Sequence, residues 1–278
     1  MIFENKKYDE ERALYDIENA TVRNCVFAGE ADGESALKEC RNIEVENCHF
    51  ELRYPFWHVV GAKISNITMT ETCRAALWYD SDVKVADSKL HGIKALRECR
   101  NVFLDSCDID SEEFGWRCSD LDIKDTVLNS QYPFFECKNM NIDNLDMKGK
   151  YSFQYIENVD IKNSHFKTKD AFWHAKNVTV TDTVIEGEYL GWYSENLKLV
   201  RCHIKGTQPL CYCKGLILED CTMSDTDLSF ENSEIEATVK GDIVSVKNPV
   251  SGYIKADSIG EIIRDGKNKS KSTCKIDV

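Results

Sequence analysis

Apolar and polar positions repeat along this chain with a period of nineteen residues. All five tryptophans lie in one column of the repeat, with gaps of 21, 38, 57 and 19 residues between Trp57, Trp78, Trp116, Trp173 and Trp192. Such a period is too short for a pair of helices and is typical of a solenoid of short strands. The pattern therefore predicts a repeat protein.

A polar marker four places after each tryptophan position sets the register of the strands. From Asp82 to Gly215 this marker recurs every nineteen residues. Aliphatic residues follow it at one and three places, as Val102 and Leu104 follow Asn101, with a mostly polar residue between them. This alternation indicates a strand with one buried face.

Two further corners close each repeat. Asn or Asp recurs five places after the marker, as Asn163 does after Asn158, and both residue types tolerate a left-handed backbone. A short second strand and a glycine-rich corner follow. Three strands and three bends per repeat predict an all-β fold, a right-handed parallel β-helix of about eleven or twelve coils with capped ends.

The limits of the repeat predict four regions. We expect residues 1–16 to form an N-terminal cap of a strand and a short helix, and residues 17–233 to form the β-helix. Residues 234–264, where Asn248 and Pro249 disturb the register, are expected to form irregular C-terminal coils or a cap, and residues 265–278 a polar tail. Caps are expected because an open terminal coil exposes unpaired backbone.

Composition excludes several classes of partner. No stretch approaches the ~20 apolar residues of a membrane span, and no basic region precedes an apolar run at the start, so we expect a cytoplasmic protein. A net charge of −13 argues against nucleic acid, which requires clustered Lys and Arg. We expect no cofactor and no membrane partner, and the oligomeric state stays open.

The thirteen cysteines fit the repeat better than they fit a metal site. Ten of them occupy two columns that should face inward: Cys40, Cys99, Cys118, Cys137 and Cys213 in one, Cys25, Cys48, Cys107, Cys202 and Cys221 in the other. Free Cys is among the most buried residue types and packs well in a stacked interior. Cys211 and Cys213 form a Cys-x-Cys pair, but zinc requires four ligands and no second pair accompanies them.

The third segment of each coil carries unusual chemistry, because eight of the eleven tyrosines lie there with the five tryptophans. Stacked about 4.8 Å apart, these segments should form one aromatic wall. Strand alternation would bury the tryptophan column, whereas Arg97 and Gln154 in the same column favour partial exposure, since a buried unpaired Arg is costly. The next column, which contains Tyr155 and His174, should face outward in either case.

Candidate site residues lie near the middle of this wall. The candidate catalytic groups are carboxylates and a histidine suited to acid and base chemistry: Glu113, Glu136, Asp170 and His174. The candidate ligand-binding residues are Arg97, Trp116, Arg117, Tyr151, Gln154, Tyr155, Trp173, Tyr189 and Trp192. Many charges have a structural explanation as cross-strand partners, namely Arg117 with Glu98 and Glu136, Lys94 with Glu113, and Lys169 with Glu188. We expect no adjacent partner for Arg97, Gln154, Asp170 or His174.

Long segments such as RAALWY, GIKALREC, TKDAFWHAKNV and GEYLGWYSENL resemble a bacterial family of unknown function over nearly the whole chain. The resemblance implies a single-stranded right-handed β-helix of the pectin-lyase-like kind. It implies no activity, substrate or catalytic residue.

Three functions therefore compete. The wall fits a carbohydrate-active lyase or hydrolase, a module that binds a saccharide or related polar ligand, or a structural protein that uses the wall as a protein interface. A glycosidase needs two carboxylates about 5 to 10 Å apart. Glu113 and Asp170 are three coils apart, which is too far, while Glu113 with Glu136 and Asp170 with Glu188 stay open. The sequence leaves the ligand, and whether the protein is an enzyme, undecided.

Overall fold

The computed structural model describes residues 1–29, 34–266 and 272–278. Within these residues the chain forms twenty-seven strands and no α-helix. It divides into two compact units, Met1–Asn141 and Ile142–Val278, and each is a parallel β-solenoid. The predicted all-β solenoid with a nineteen-residue period is confirmed.

In the first unit most coils contribute a six-residue strand and then a short one. The strands are β1 (Ile2–Glu4), β2 (Lys7–Tyr8), β3 (Glu18–Arg23), β4 (Val26–Phe27), β5 (Arg41–Glu46), β6 (His49–Phe50), β7 (Phe56–Trp57), β8 (Val60–Ser65), β9 (Thr68–Met69), β10 (Leu77–Trp78), β11 (Ser81–Ala86), β12 (Lys89–His91), β13 (Leu96–Arg97), β14 (Arg100–Asp105), β15 (Asp108–Asp110) and β16 (Ser119–Ser130). Each long strand pairs in parallel with its equivalent in the next coil, so that Lys63 of β8 lies opposite Glu44 of β5 and Lys84 of β11. The strands β7, β10 and β13 form a separate small sheet on the third wall.

The second unit repeats this arrangement. Its strands follow β17 (Lys138–Gly149), in which the division falls, and are β18 (Glu157–Lys162), β19 (His165–Lys167), β20 (Lys176–Thr181), β21 (Val184–Glu186), β22 (Glu195–Val200), β23 (His203–Lys205), β24 (Leu216–Ser224), β25 (Glu234–Lys247), β26 (Ser251–Ile263) and β27 (Lys275–Asp277). Pairing is again parallel, with Val178 of β20 between Val159 and Leu197.

The core of each unit consists of stacked columns of inward side chains. Phe27 stacks on Phe50 with ring centroids 4.6 Å apart in the first unit, and Phe153 stacks on Phe172 at 4.9 Å in the second. All thirteen cysteines are buried and free, which confirms the inward orientation predicted for the two columns. The described residues contain no group of three or more His, Cys, Asp or Glu that could hold a metal ion. They also contain no helix long and apolar enough to span a membrane.

Small polar side chains in these columns satisfy the backbone at the corners. Thr183 Oγ1 accepts a hydrogen bond from the N–H of Ser164 in the preceding coil (3.2 Å) and donates to the carbonyl of Thr181 (2.9 Å). Cys99 Sγ does the same with the N–H of Asp80 (3.4 Å) and the carbonyl of Arg97 (3.2 Å). Thiols and hydroxyls therefore suit these positions for two reasons: they are small, and they both accept and donate hydrogen bonds to the backbone.

Both ends of the repeat differ from expectation. Residues 11–16 form turns instead of a short helix, and β1 and β2 already pair in parallel with β3 and β4. The region expected to be irregular forms β25 and β26, with a register shift between Val239 and Asp242. It stays regular because the apolar alternation continues after the marker residues are lost. Within the tail, β27 pairs with β26, and residues 267–271 lie outside the described residues.

Candidate functional site

The aromatic wall contains a left-handed corner that the sequence did not reveal. In the second unit the outward column adopts positive φ at Tyr155 (58°), His174 (54°), Tyr193 (60°) and Tyr212 (61°). This backbone breaks strict strand alternation, so adjacent residues such as Trp173 and His174 both reach the surface. All five tryptophans are half-buried. Of the two alternatives for the tryptophan column, partial exposure is therefore correct.

Four rings of this column form a continuous stack in the second unit, which we name the tyrosine–histidine ladder: Tyr155, His174, Tyr193 and Tyr212. Successive ring centroids are 4.9, 5.1 and 4.9 Å apart, and successive planes lie within 11° of parallel. Tyr155 is 49% exposed and Tyr193 is 44% exposed. Because the inner faces cover one another, the ladder presents ring edges and hydroxyl groups to solvent.

A second stack lies beside the ladder. Trp173 and Trp192 are parallel within 4° at 5.4 Å, and their indole N–H groups donate to the carbonyls of Tyr189 (2.7 Å) and Gln208 (2.8 Å). Each carbonyl belongs to the residue sixteen places further along the chain. In the first unit Trp116 makes the same bond to Tyr132 at 2.6 Å.

Gln154 occupies the tryptophan column one coil before Trp173. Its side-chain amide donates to the carbonyl of Asp170 at 3.1 Å, again sixteen residues onward. The expectation that Gln154 lacks a partner is therefore wrong, because its amide replaces the indole N–H. Gln154 has a structural role in addition to any contact with a ligand.

Charged groups border the ladder in the second unit. Lys169 pairs with Glu188 at 3.0 Å, as predicted, and its Nζ lies 5.2 Å from the centre of the Tyr189 ring. Asp170 is only 6% exposed. Burial raises the pKa of its carboxyl, Lys169 lowers it and Glu188 raises it. Tyr151 is 37% exposed in the same coil as Gln154.

The remaining candidate residues lie in the first unit, where they form ion pairs. Arg97 contacts Glu98 (3.3 Å) and Glu113 (3.4 Å), so the expectation of an unpaired Arg97 is wrong. It also lies 5.3 Å from the centre of the Trp116 ring. Arg117 contacts Glu136 at 2.8 Å. The remaining predicted pairs, Lys94 with Glu113 (3.6 Å) and Arg117 with Glu98 (3.9 Å), are present. Glu113 and Glu136 thus serve as ion-pair partners.

The predicted site residues divide between the two units. Arg97, Glu113, Trp116, Arg117 and Glu136 belong to the first unit, and the others belong to the second. The second unit brings Tyr155 and His174 into direct contact and places Trp173 against Trp192. Sequence reasoning omitted Tyr193 and Tyr212, although they share the column of His174. Their position in the repeat was the signal that could have identified them.

The chain belongs to a family described as "Protein of unknown function (DUF3737)", whose profile matches residues 1–277. No curated protein matches the sequence significantly.

Several solved structures share a general likeness with this fold. A double mutant of the tailspike protein of E. coli bacteriophage HK620 is 7% identical, with 94% of this chain and 60% of that chain covered and a TM-score of 0.43. The Streptococcus pneumoniae surface protein and adhesin PfbA is 9% identical, with 100% and 91% covered and a TM-score of 0.40. The A-module of the Azotobacter vinelandii mannuronan C-5 epimerase AlgE4 is 8% identical, with 99% and 87% covered and a TM-score of 0.30. At these scores the likeness carries no functional argument.

Proposed function

We propose that the second unit binds a saccharide, or a similar polyhydroxylated ligand, along the tyrosine–histidine ladder. The observation that carries the proposal is the left-handed backbone at every ring of the ladder. Bulky side chains in this conformation are strained by about 1–3 kcal/mol each, and Asn closes equivalent corners elsewhere in the coil, as at Asn177. Coil closure therefore does not require aromatic rings at these four positions.

Stacking offsets part of this strain, because each parallel ring pair contributes about 0.5–1.5 kcal/mol. The ladder carries three phenol hydroxyl groups, on Tyr155, Tyr193 and Tyr212, with the His174 ring between the first two. A phenol hydroxyl both donates and accepts, so a row of them suits a ligand with repeated hydroxyl groups. Lys169 and Glu188 add a charged donor and acceptor at the border.

We favour binding over catalysis in this unit. Asp170 is buried, and both faces of the His174 ring are covered by tyrosines. Asp170 and His174 are therefore better placed to stabilise the surface than to exchange protons with a substrate. A carbohydrate-active hydrolase or lyase is the alternative: a hydrolase would release new reducing ends from a neutral oligosaccharide, and a lyase would require an oligosaccharide of uronic acids.

A protein interface is the other candidate function of the ladder. The specific observation in its favour is that ring faces stack on one another, so the wall offers a flat row of exposed tyrosine edges. Tyrosine is enriched in protein interfaces. Light scattering distinguishes this case, since an interface between copies would give a dimer that Tyr193→Ala dissociates.

Calorimetric titration with neutral hexasaccharides of glucose, xylose, mannose and N-acetylglucosamine tests the proposal. Tyr193→Phe keeps the ring in the stack and removes its hydroxyl, so affinity for the bound sugar should fall about tenfold, the value of one lost hydrogen bond, while the melting temperature stays the same. Tyr253→Phe, an exposed tyrosine of β26, is the control and should bind normally. No binding to any hexasaccharide, or equal loss in both variants, contradicts the proposal.

A further inference from the structure

A gap in the asparagine ladder marks a second surface, on the long-strand wall of the first unit. Side chains of the marker column bond from coil to coil, as Asn42 does to Asn19 (3.4 Å) and Asn101 to Asp82 (2.5 Å). Gly61 interrupts the column between Asn42 and Asp82, and a Cβ there would lie 2.9 Å from Asn42 Oδ1. The missing side chain leaves a shallow depression between Asn42, Gly61 and Asp82.

Lys63, Lys84 and Glu44 line both this depression and the one beside it, and Glu46 lines only the second. Lys63 pairs with Glu44 at 3.1 Å. Lys84 lies opposite Lys63 in the register and has no ion-pair partner among the described residues. On its other side Lys84 faces Phe103, whose half-buried ring lines the adjoining depression.

These groups together have the chemistry of a site for a sugar acid. Asn42 Oδ1 faces the gap, and Asp82 retains acceptor capacity beyond its bond to Asn101, so both can accept from hydroxyl groups. The Lys84 ammonium can donate to a carboxylate in a charge-assisted bond. Phe103 offers an apolar surface to the carbon face of a ring. We propose that this surface of the first unit binds a small polyhydroxylated carboxylate of the uronate class.

The site lies on the long-strand wall of the first unit, whereas the tyrosine–histidine ladder lies on the aromatic wall of the second unit. Loss of binding at one site therefore does not imply loss of binding at the other. Variants of the ladder such as Tyr193→Phe should leave binding at this surface unchanged. Variants of Gly61 and Lys84 should likewise leave hexasaccharide binding unchanged.

Calorimetric titration of the intact chain with glucuronate tests the site. Glucose, which lacks the carboxylate, and acetate, which lacks the ring and its hydroxyl groups, are the matched probes. Glucuronate should bind at least tenfold more tightly than either one. Gly61→Asn fills the gap with a residue that tolerates positive φ, and Lys84→Gln removes the ammonium. Each should weaken glucuronate binding at least tenfold with the melting temperature unchanged or raised, and Lys84→Arg should retain binding.

Two control variants come from the second unit. Gly215 interrupts its own ladder beside Asn196 in the same way, so Gly215→Asn reproduces the backbone change without touching the site. Lys198→Gln removes a lysine at the equivalent strand position, one that pairs with Glu219 at 2.8 Å. Both should bind glucuronate normally. The proposal is overturned if glucuronate does not bind, if acetate binds equally well, or if Gly61→Asn and Lys84→Gln leave its affinity unchanged.

Discussion

The side-chain amide of Gln154 donates to the backbone carbonyl of Asp170 over 3.1 Å. This is the contact that Trp173 and Trp192 make in the next two coils through their indole N–H groups. In these three coils of the second unit, one repeated hydrogen bond therefore links the aromatic wall to the turn that follows it. Trp57 and Trp78 of the first unit do not make this bond, because their buried indole N–H groups have no partner among the described residues.

Gln154→Ala should lower the free energy of unfolding by about 1–3 kcal/mol, because the Asp170 carbonyl loses its donor at a largely buried position. Gln154→Trp restores an N–H donor in the geometry of the neighbouring coils and should recover most of that loss. Urea denaturation measures both. Equal stability of the Ala variant and the unaltered chain would show that this bond contributes nothing.

His174→Ala should also destabilise the second unit, since it removes two ring contacts that contribute about 0.5–1.5 kcal/mol each. His174→Tyr gives the residue already present at Tyr155 and Tyr193, and it should keep the stack. The expected loss is about 1–3 kcal/mol for Ala and less than 1 kcal/mol for Tyr by thermal denaturation. If the two variants lose stability equally, stacking is not what holds this position.

Thr183→Val keeps the shape of a buried side chain but removes its hydroxyl. The Ser164 N–H would then lack its partner, at a cost of about 1–3 kcal/mol, while the Thr181 carbonyl would still accept from the N–H of Asn163 at 3.2 Å. Thr183→Ser retains the hydroxyl and should cost less than the Val variant. Chemical denaturation of the pair gives the comparison, and a Val variant as stable as the Ser variant would refute the role assigned to the corner hydroxyls.

Asp80 occupies the thiol column of the first unit and is 1% exposed. Its Oδ1 accepts from the Val59 N–H at 2.7 Å, while Oδ2 has no partner among the described residues. Burial is the main reason why the pKa of this carboxyl is well above 3.8, and nearby Cys99 raises it further. A carboxyl whose pKa is raised by folding binds more protons in the folded state. Its contribution to stability is therefore complete below pH 3.8 and is lost as pH rises toward the folded-state pKa.

Asp80→Asn keeps an acceptor for Val59 and cannot ionise. The variant should gain stability relative to the unaltered chain as pH rises above 3.8, with a slope of at most about 1.4 kcal/mol per pH unit. Denaturation curves across that range provide the measurement. A stability difference that does not vary with pH would mean that folding does not raise the pKa of Asp80.

The sequence predicted the corners whose residue types carry their own conformational signal. Asn101 and Asn163 adopt φ of 53°, as the Asn and Asp columns indicated. The additional corner on the aromatic wall uses His174, Tyr193 and Arg117, whose types do not favour left-handed backbone. Its conformation depends on contacts with equivalent residues in neighbouring coils, and no local propensity reports such contacts.

The sequence predicted the partner of a site residue only where the two residues carry opposite charges in adjacent coils. Lys169 with Glu188 and Arg117 with Glu136 followed from opposite signs in adjacent coils. The hydrogen bond of Gln154 to a backbone carbonyl could not be predicted, because it depends on the path of the turn that follows in the next coil. Arg97 was misjudged for a similar reason, since Glu113 belongs to the next coil but to a different column.

The central claim, that the tyrosine–histidine ladder is a ligand surface, is tested most directly by side-chain nuclear magnetic resonance. Tyrosine ring signals would be followed while the hexasaccharide with the highest affinity is added. We expect concentration-dependent shifts at Tyr155 and Tyr193, with the ring of Tyr253 unchanged. Saturating sugar that leaves Tyr155 and Tyr193 unshifted, or that shifts Tyr253 to the same extent, would contradict the claim.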